Sequence, residues 1–250
     1  MIKFFRKIRQ NMIKDNKVSK YLLYAIGEII LVVIGILIAL NINNNNTIKK
    51  ERALEQDYIN RLASEMTEEV AYYNDLKGKF ENQNAAIIRM LERWKSDTIT
   101  ISDTTQFISD FFAGNGIQPW YKEPVIWTQL VQSGELKLLQ NQKLVEALFK
   151  HYGQLNRTSE NFKGYPTKTT HEGRTLIANT FINESHLATG NSRFELSPET
   201  LILILTNKEK YQELFTRVAI ITNIHSGVMN GLSTSGNEVL GLLEKAQNSN

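Results

Sequence analysis

The sequence predicts an all-α protein, with an N-terminal transmembrane helix followed by a long stalk-like helix and an antiparallel helical bundle. Three observations lead to this fold class. Residues 21–40 form one apolar segment, and the stretches 48–94 and 208–247 repeat their apolar residues every three or four positions. No segment alternates in the manner of a β-hairpin. At 250 residues, the chain is long enough for one or two domains with a sizeable core.

The segment 21–40 has the length and composition of a membrane span. Twenty residues extend about 30 Å as a helix, which matches the hydrocarbon core of a bilayer. The run 29–40 contains no polar side chain, a basic block precedes it and "NINNNN" follows it, which argues against a buried core helix. The run is also longer than that of a signal peptide and no small-x-small cleavage site follows, so we expect an uncleaved signal anchor.

The distribution of charge predicts the orientation of this span. The net charge of +3 hides an asymmetry, because residues 1–20 carry seven cations and one anion while the remainder has more anions than cations. The positive-inside rule then puts the N-terminus in the cytoplasm and the later residues on the far side of the membrane; in a bacterium that side is the periplasm and the membrane is the inner (cytoplasmic) one. Without a basic surface outside the first twenty residues, no nucleic-acid partner is expected.

Residues 1–20 are predicted to be a basic, amphipathic cytoplasmic segment. Met1, Phe5, Ile8 and Met12 recur at helical spacing with cations largely between them, which suits a short helix lying on the anionic leaflet of the bilayer. The alternative is a tail that only sets the topology. The candidate membrane-surface contacts are Lys3, Phe4, Phe5, Arg6, Lys7 and Arg9.

The rest of the chain divides into an Asn-rich linker, residues 41–47, and a helical extracytoplasmic domain, residues 48–250. Two long helices, 48–95 (which Gly78 could bend) and 208–247, are predicted to embrace shorter helices between them. The expected ends of the shorter helices are a C-cap at Gly134 and N-caps at Asn141 and Ser197.

Local sequence motifs give no indication of catalysis. There is no cysteine, no G-x-S-x-G, no phosphate-binding glycine loop and no calcium loop, so no catalytic residue, metal ligand or cofactor is predicted. The four histidines, His151, His171, His186 and His225, lack the i, i+4 spacing of a helical zinc site. We expect each of them to be a surface or capping residue. A nucleophile and base that are distant in sequence stay an open alternative.

Two features of the sequence are candidates for binding. The aromatic residues Trp120, Tyr121 and Trp127 flank a proline-containing loop. They could line a recognition groove, or they could pin the loop to the bundle.

The second feature is a carboxylate inside the span, Glu28. Gly27, Leu31, Gly35 and Ala39 step by four beside it, so they share one helix face on which a second helix could approach closely. Glu28 could then hydrogen-bond across that interface, turn towards the inner headgroups, or belong to a proton path with a partner. The candidate transmembrane interaction residues are Gly27, Glu28, Gly35 and Ala39.

The N-terminal sequence "MIKFFRKIRQNMI…KYLLYAIGEIILVVIGILIALNINN" resembles the start of a family of bacterial single-span membrane proteins of unknown function. The segment "WTQLVQSGELKLLQNQKLVEALFKHY" is similar to a second signature of that family. The family usually has a tryptophan in the Asn-rich exit from the span, and residues 41–46 have none. The resemblance implies a single span followed by a helical domain, and it implies no activity.

These observations predict a membrane-anchored, non-enzymatic protein whose periplasmic helical domain binds a partner or a ligand. The expected partners are the lipid bilayer and either a second copy of the chain or another membrane protein. One alternative is an accessory subunit of a larger inner-membrane complex, assembled through Glu28, Gly35 and Ala39. Another is an envelope enzyme whose site gathers residues that are distant in sequence.

Overall fold

The structure is a computed structural model that describes residues 18–96, 101–117, 119–184 and 196–248. In these ranges the chain forms α-helices and no β-strand, which confirms the all-α prediction. The helices are α1 (Val18–Lys95), α2 (Thr104–Phe112), α3 (Val125–Gln132), α4 (Gln142–Phe162), α5 (Tyr165–Thr180), α6 (Pro198–Thr206) and α7 (Lys208–Gln247). Short 3₁₀ turns occupy Ala113–Asn115 and Glu135–Leu138.

The chain divides into two compact units, residues 1–56 and 57–250. In the first unit every described residue is helical, including the predicted Asn-rich linker 41–47. The polar side chains of this stretch bond along the helix: Asn45 Nδ2 donates to Asn41 Oδ1 at 3.4 Å, and Thr47 Oγ1 donates to the Asn43 carbonyl at 3.1 Å. Bonds between positions i and i+4 are compatible with a continuous helix, so the linker is a helical segment.

In the second unit the two long helices are antiparallel, as predicted. Asn74, Lys77 and Asn84 of α1 hydrogen-bond to Ser233, Asn230 and Thr222 of α7, respectively, over 2.8–3.3 Å. Along these three contacts the residue numbers of α1 rise while those of its α7 partners fall, as expected for antiparallel helices. α1 runs through Gly78 without interruption.

The hydrophobic core of the second unit consists of two clusters along this helix pair. The first joins residues 58–80 of α1 to α3, α4 and residues 221–243 of α7. The second joins residues 87–94 of α1 to α2, α5, α6 and the first half of α7. The apolar periodicity of α1 and α7 therefore marks the faces that these clusters bury.

Three of the predicted helix ends have the expected geometry. Asn141 Oδ1 accepts from the Leu144 amide at 3.2 Å, and Ser197 Oγ accepts from the Thr200 amide at 3.3 Å. Each side chain satisfies one amide that the first helical turn leaves without a backbone partner. Gly134 follows α3 in the left-handed region, with φ at 72°, a conformation that costs glycine little.

The N-terminus of α3 is capped by a side chain from another helix. Its N-cap residue, Pro124, has no side-chain hydrogen-bonding group. The Glu65 carboxylate of α1 instead accepts from the amides of Val125 at 2.7 Å, Ile126 at 3.0 Å and Trp127 at 3.4 Å. Negative charge at a helix N-terminus also interacts favourably with the helix dipole. Glu65 thus fixes where α3 begins.

Replacing Glu65 with alanine should lower the free energy of unfolding by about 1 kcal/mol, the usual effect of losing an N-cap. The measurement is urea denaturation of the full chain in detergent micelles, followed by circular dichroism. Glu68→Ala is the matched control, because Glu68 is exposed and, among the residues that the structure describes, pairs with the exposed Lys122 at 3.3 Å. Equal effects of the two substitutions would contradict a capping role for Glu65.

Candidate functional site

The part of α1 that precedes residue 43 is a candidate membrane span. In the described ranges, α1 is the one helix long and apolar enough to cross a membrane, and none of its apolar window is buried. The large apolar side chains from Ile29 to Leu40 are all 46–71% exposed. An apolar surface of this length is unfavourable in water, while a helix satisfies its own backbone hydrogen bonds and so suits lipid.

Glu28 lies at the beginning of this apolar band, and its side chain is exposed. The neighbouring Gly27 and Gly35 have open surroundings, because a Cβ added to either would meet no atom within 4 Å. Gly35 and Ala39 are exposed as well. The candidate interaction residues therefore lie on accessible helix surface. The same surface carries a shallow groove, which is lined by Tyr24, Gly27, Glu28, Leu31 and Val32. The candidate membrane-surface residues between Lys3 and Arg9 lie outside the described residues.

The three aromatic residues of the candidate recognition loop differ in how far they are buried. Trp120 and Trp127 are only 1% and 8% exposed, while Tyr121 is 46% exposed. Trp127 stacks on Tyr152 with ring centroids 5.0 Å apart, and Tyr72 Oη donates to the Trp120 carbonyl at 2.8 Å. Trp120 and Trp127 thus pin the loop and α3 to the bundle, and Tyr121 alone of the three is open to solvent.

The expectation that each histidine is a surface or capping residue is wrong for His151 and His225, which are 0% and 5% exposed. Both lie on the apolar face of their helix, where the bundle buries them. His171 is exposed, as predicted, and His186 lies outside the described residues.

His225 sits in an aromatic environment. Its ring packs against Phe80, Trp120 and Phe162, with centroids 5.2–6.3 Å apart, and its Nδ1–H donates to the Ile221 carbonyl at 2.8 Å. Burial lowers the pKa of His225, and the hydrogen bond to Ile221 opposes that effect only in part. The neutral imidazole is therefore the form that suits this packing.

A buried polar chain links three helices in the first core cluster. His151 Nδ1 of α4 lies 2.7 Å from Ser235 Oγ of α7, and His151 Nε2 lies 3.3 Å from Glu69 Oε2 of α1. Glu69 is 1% exposed and Ser235 is 7% exposed. We refer to Glu69, His151 and Ser235 as the core triad.

The surroundings of the core triad are tightly packed and carry little compensating charge. A Cβ at Gly236 would lie 2.6 Å from Val70 Cγ2 and 3.6 Å from His151 Cε1, so α7 approaches both neighbouring helices closely. Burial, followed by the Glu69 carboxylate, raises the pKa of Tyr73 and of Tyr152. Both phenols therefore stay protonated and uncharged at neutral pH.

The core triad has the residue types of a nucleophile–base–acid chain, but its geometry suits a structural network. Ser235 Oγ lies 3.1 Å from the Leu232 carbonyl of its own helix as well as 2.7 Å from His151 Nδ1, so its single hydroxyl proton can serve only one of these two contacts. A hydroxyl that is buried between three helices is also closed to a substrate.

Sequence reasoning missed the core triad, although a signal for it exists. Glu69 lies between Met66 and Tyr73 on the apolar stripe of α1, His151 lies between Leu148 and Leu155 on that of α4, and Ser235 lies between Leu232 and Val239 on that of α7. A polar residue at an apolar-face position is a candidate for burial. Which of these residues meet depends on the packing of the helices.

A separate cavity of about 180 Å³ lies where the loop after α2 meets α4 and α5. This is smaller than the ~300–1,000 Å³ of most sites for drug-sized ligands, so it fits only a small molecule. Phe162 and Ile117 contribute apolar surface, and Arg174 and Thr167 contribute hydrogen-bonding groups. The remaining lining residues are Pro119, Thr170 and His171.

In the part of the chain that the structure describes, no group of three or more His, Cys, Asp or Glu side chains is placed to hold a metal ion. Comparison of the chain with protein-family models, with curated proteins and with solved structures finds no match.

Proposed function

We propose that the protein is a non-enzymatic, membrane-anchored protein whose helical domain binds a partner or a ligand on the periplasmic side of the inner membrane. The observation that carries this proposal is the unburied apolar band of α1, residues 29–40. The cationic first twenty residues support a cytoplasmic N-terminus. The resemblance to single-span bacterial membrane proteins supports the same topology and is part of the proposal.

Substituting three central residues of the span with arginine should release the protein from the membrane. Each apolar residue of a span contributes about −0.3 to −0.6 kcal/mol to insertion, whereas a central arginine costs about 2.5–3.5 kcal/mol. Leu31→Arg, Ile34→Arg and Leu37→Arg together should therefore outweigh the rest of the segment. The measurement is the fraction of protein that stays in the membrane pellet after carbonate extraction, with Leu31→Ile, Ile34→Leu and Leu37→Ile as the matched control. Retention of the triple-arginine variant in the pellet would contradict anchoring by this segment.

The orientation is tested independently with a reporter fused after Asn250. An enzyme that is active only outside the cytoplasm should be active in this fusion, and a fluorescent protein that matures only in the cytoplasm should stay dark. The opposite pair of results would overturn the periplasmic placement and leave the anchor intact.

A second candidate function is that of an accessory subunit of a membrane complex. The observation that favours it is the exposed carboxylate of Glu28, beside Gly27 and directly before the apolar band, because an ionisable group in a span usually faces a polar partner. Purification in mild detergent should then lose its co-purifying membrane proteins in Glu28→Ala and keep them in Glu51→Ala, a control in the same helix outside the apolar band. An unchanged set of co-purifying proteins in Glu28→Ala would contradict this function.

A further inference from the structure

The cavity of about 180 Å³ is formed where one face of α5 meets the loop after α2 and the last residue of α4. Four of its lining residues, Thr167, Thr170, His171 and Arg174, lie at positions i, i+3, i+4 and i+7 of α5. This spacing puts them on one side of the helix. The cavity therefore receives a single, defined helix face, and all of its lining residues belong to the unit 57–250.

Close packing of α5 on the loop holds the walls of the cavity in place. Gly116 has a φ of 97°, and a Cβ added to it would lie 2.6 Å from Thr170 Cα. A Cβ added to Gly173 would lie 2.8 Å from the Gly114 carbonyl oxygen. The Ile117 amide also donates to Thr170 Oγ1 at 3.0 Å. A site whose walls are held by the chain itself loses little conformational entropy when a ligand binds.

The lining of the cavity combines cationic and apolar groups. Ile117 is 1% exposed and Phe162 is half-buried, whereas His171 and Arg174 are exposed. The Arg174 guanidinium is positively charged and has five N–H donors, so it can bind an anion in addition to a partner within the chain. The His171 imidazole offers at least one further N–H in either of its protonation states. An apolar interior with donors at its rim suits a ligand that has one anionic end and one apolar end.

The acidic residue of α5 is held away from this cavity. Glu172 is not among the lining residues, and its carboxylate accepts from Arg217 Nη1 of α7 at 2.8 Å. Among the described residues that line the cavity, none is acidic. The side of α5 that a ligand meets therefore favours negative charge.

We propose that this cavity binds a small carboxylic acid with a short apolar chain. Arg174 and His171 hold the carboxylate, and the apolar chain lies against Ile117 and Phe162. The volume is below the ~300 Å³ at which sites for drug-sized ligands begin, so the acid is a short one. The inference rests on the proposed function, since it names the class of ligand that the helical domain binds.

The test titrates the full chain in detergent micelles with butyrate, with its uncharged analogue butyramide and with inorganic phosphate, at constant pH and ionic strength. Nuclear magnetic resonance of ring-labelled histidine follows the exposed His171, with the buried His151 as the internal reference. Butyrate should shift the His171 signal with a Kd on the order of 1 mM and leave the His151 signal in place. Butyramide, which lacks the charge, and phosphate, which lacks the apolar chain, should each bind about tenfold more weakly. Binding of either one as tight as that of butyrate, or no shift of His171 with any probe, would overturn the proposal.

Arg174→Gln tests the residue that carries the charge. It should weaken butyrate binding about tenfold, because a hydrogen bond to a charged donor is replaced by one to a neutral donor. The matched control is Arg157→Gln, which makes the same change of charge at an exposed position of α4 outside the cavity and should alter the affinity less than about twofold. Both arginines are exposed, so circular dichroism should show that both variants keep the wild-type fold. Equal affinities of the two variants for butyrate would overturn the proposal.

Failure of the carboxylate site is distinguishable from failure of the proposed function. The cavity lies in the unit 57–250, whereas the carbonate extraction tests the apolar band of α1 and the reporter fusion tests the orientation. Loss of the carboxylate site would leave the anchor, the orientation and the binding of a protein partner standing.

Discussion

Replacing Trp94 with alanine is expected to lower the free energy of unfolding by about 3–5 kcal/mol, the range for removing a large aromatic side chain from a core. Trp94 is 1% exposed and lies at the centre of the second core cluster. Its indole stacks on Tyr211 with centroids 6.0 Å apart, and it meets Phe215 and Phe111 edge to face at 4.9 and 6.4 Å. The side chain thereby joins α1 to α2 and α7.

The surroundings of Trp94 limit how far the resulting cavity can close. Phe215, its nearest aromatic neighbour, lies directly against Gly114, where an added Cβ would come within 2.2 Å of Phe215 Cε2. The close contact with the Gly114 backbone therefore limits how far the Phe215 ring can shift. A site that cannot collapse loses the contacts outright, which puts the expected cost towards the upper part of the range.

The measurement for Trp94 is again urea denaturation of the full chain in micelles, with Tyr121→Ala as the control. Tyr121 is an aromatic residue that is 46% exposed, so its loss should change the free energy of unfolding by less than about 0.5 kcal/mol. Trp94→Phe keeps part of the packing and should fall between the two. A Trp94→Ala cost no larger than that of Tyr121→Ala would contradict the central role of this side chain.

The helices and most of their ends could be predicted because their causes are local. The apolar repeat of 208–247 needs no knowledge of its partner, and α7 has those bounds in the structure. Asn141 and Ser197 cap the helices that they precede, since a cap bonds an amide three residues away. The helical Asn-rich stretch was less predictable, because its side chains can bond either to each other along a helix or to water in a loop.

The contacts that depend on helix register could not be predicted. Glu65 and Glu69 are one helical turn apart in sequence, yet one caps α3 and the other pairs with His151 on α4. Nothing near either glutamate specifies these partners, which lie 60 and 82 residues further along the chain. The aromatic loop illustrates the same limit. Trp120 and Tyr121 are adjacent in the sequence, but the packing of the bundle buries Trp120 and leaves Tyr121 exposed.

Replacing Asp110 with alanine is expected to lower the free energy of unfolding by about 3 kcal/mol, because it leaves two guanidinium groups without their buried partner. Asp110 is 0% exposed, and its carboxylate accepts from Arg89 and Arg93 of α1, each at 2.6 Å, and from Gln106 at 2.8 Å. The two arginine side chains are 47% and 29% exposed, so water offsets part of the loss. The control is Asp75→Ala, which removes the exposed ion pair with Lys79 and should cost less than about 1 kcal/mol.

Acid should reduce this difference between the wild type and Asp110→Ala. Burial acts to raise the pKa of Asp110, but the hydrogen bonds from Arg89, Arg93 and Gln106 outweigh burial, so the pKa lies below its usual value. The folded chain therefore binds fewer protons at this site than the unfolded chain, whose aspartates titrate near pH ~3.9. The stability that Asp110 contributes is complete above that pH and is lost as the pH falls through the folded value. Urea denaturation at pH 7, 5, 4 and 3 should show a constant difference at the first two and a shrinking one at the last two. A difference that grew in acid would mean that the buried carboxyl is held in its protonated form, and the assignment of Asp110 as the anchor between α2 and α1 would be wrong.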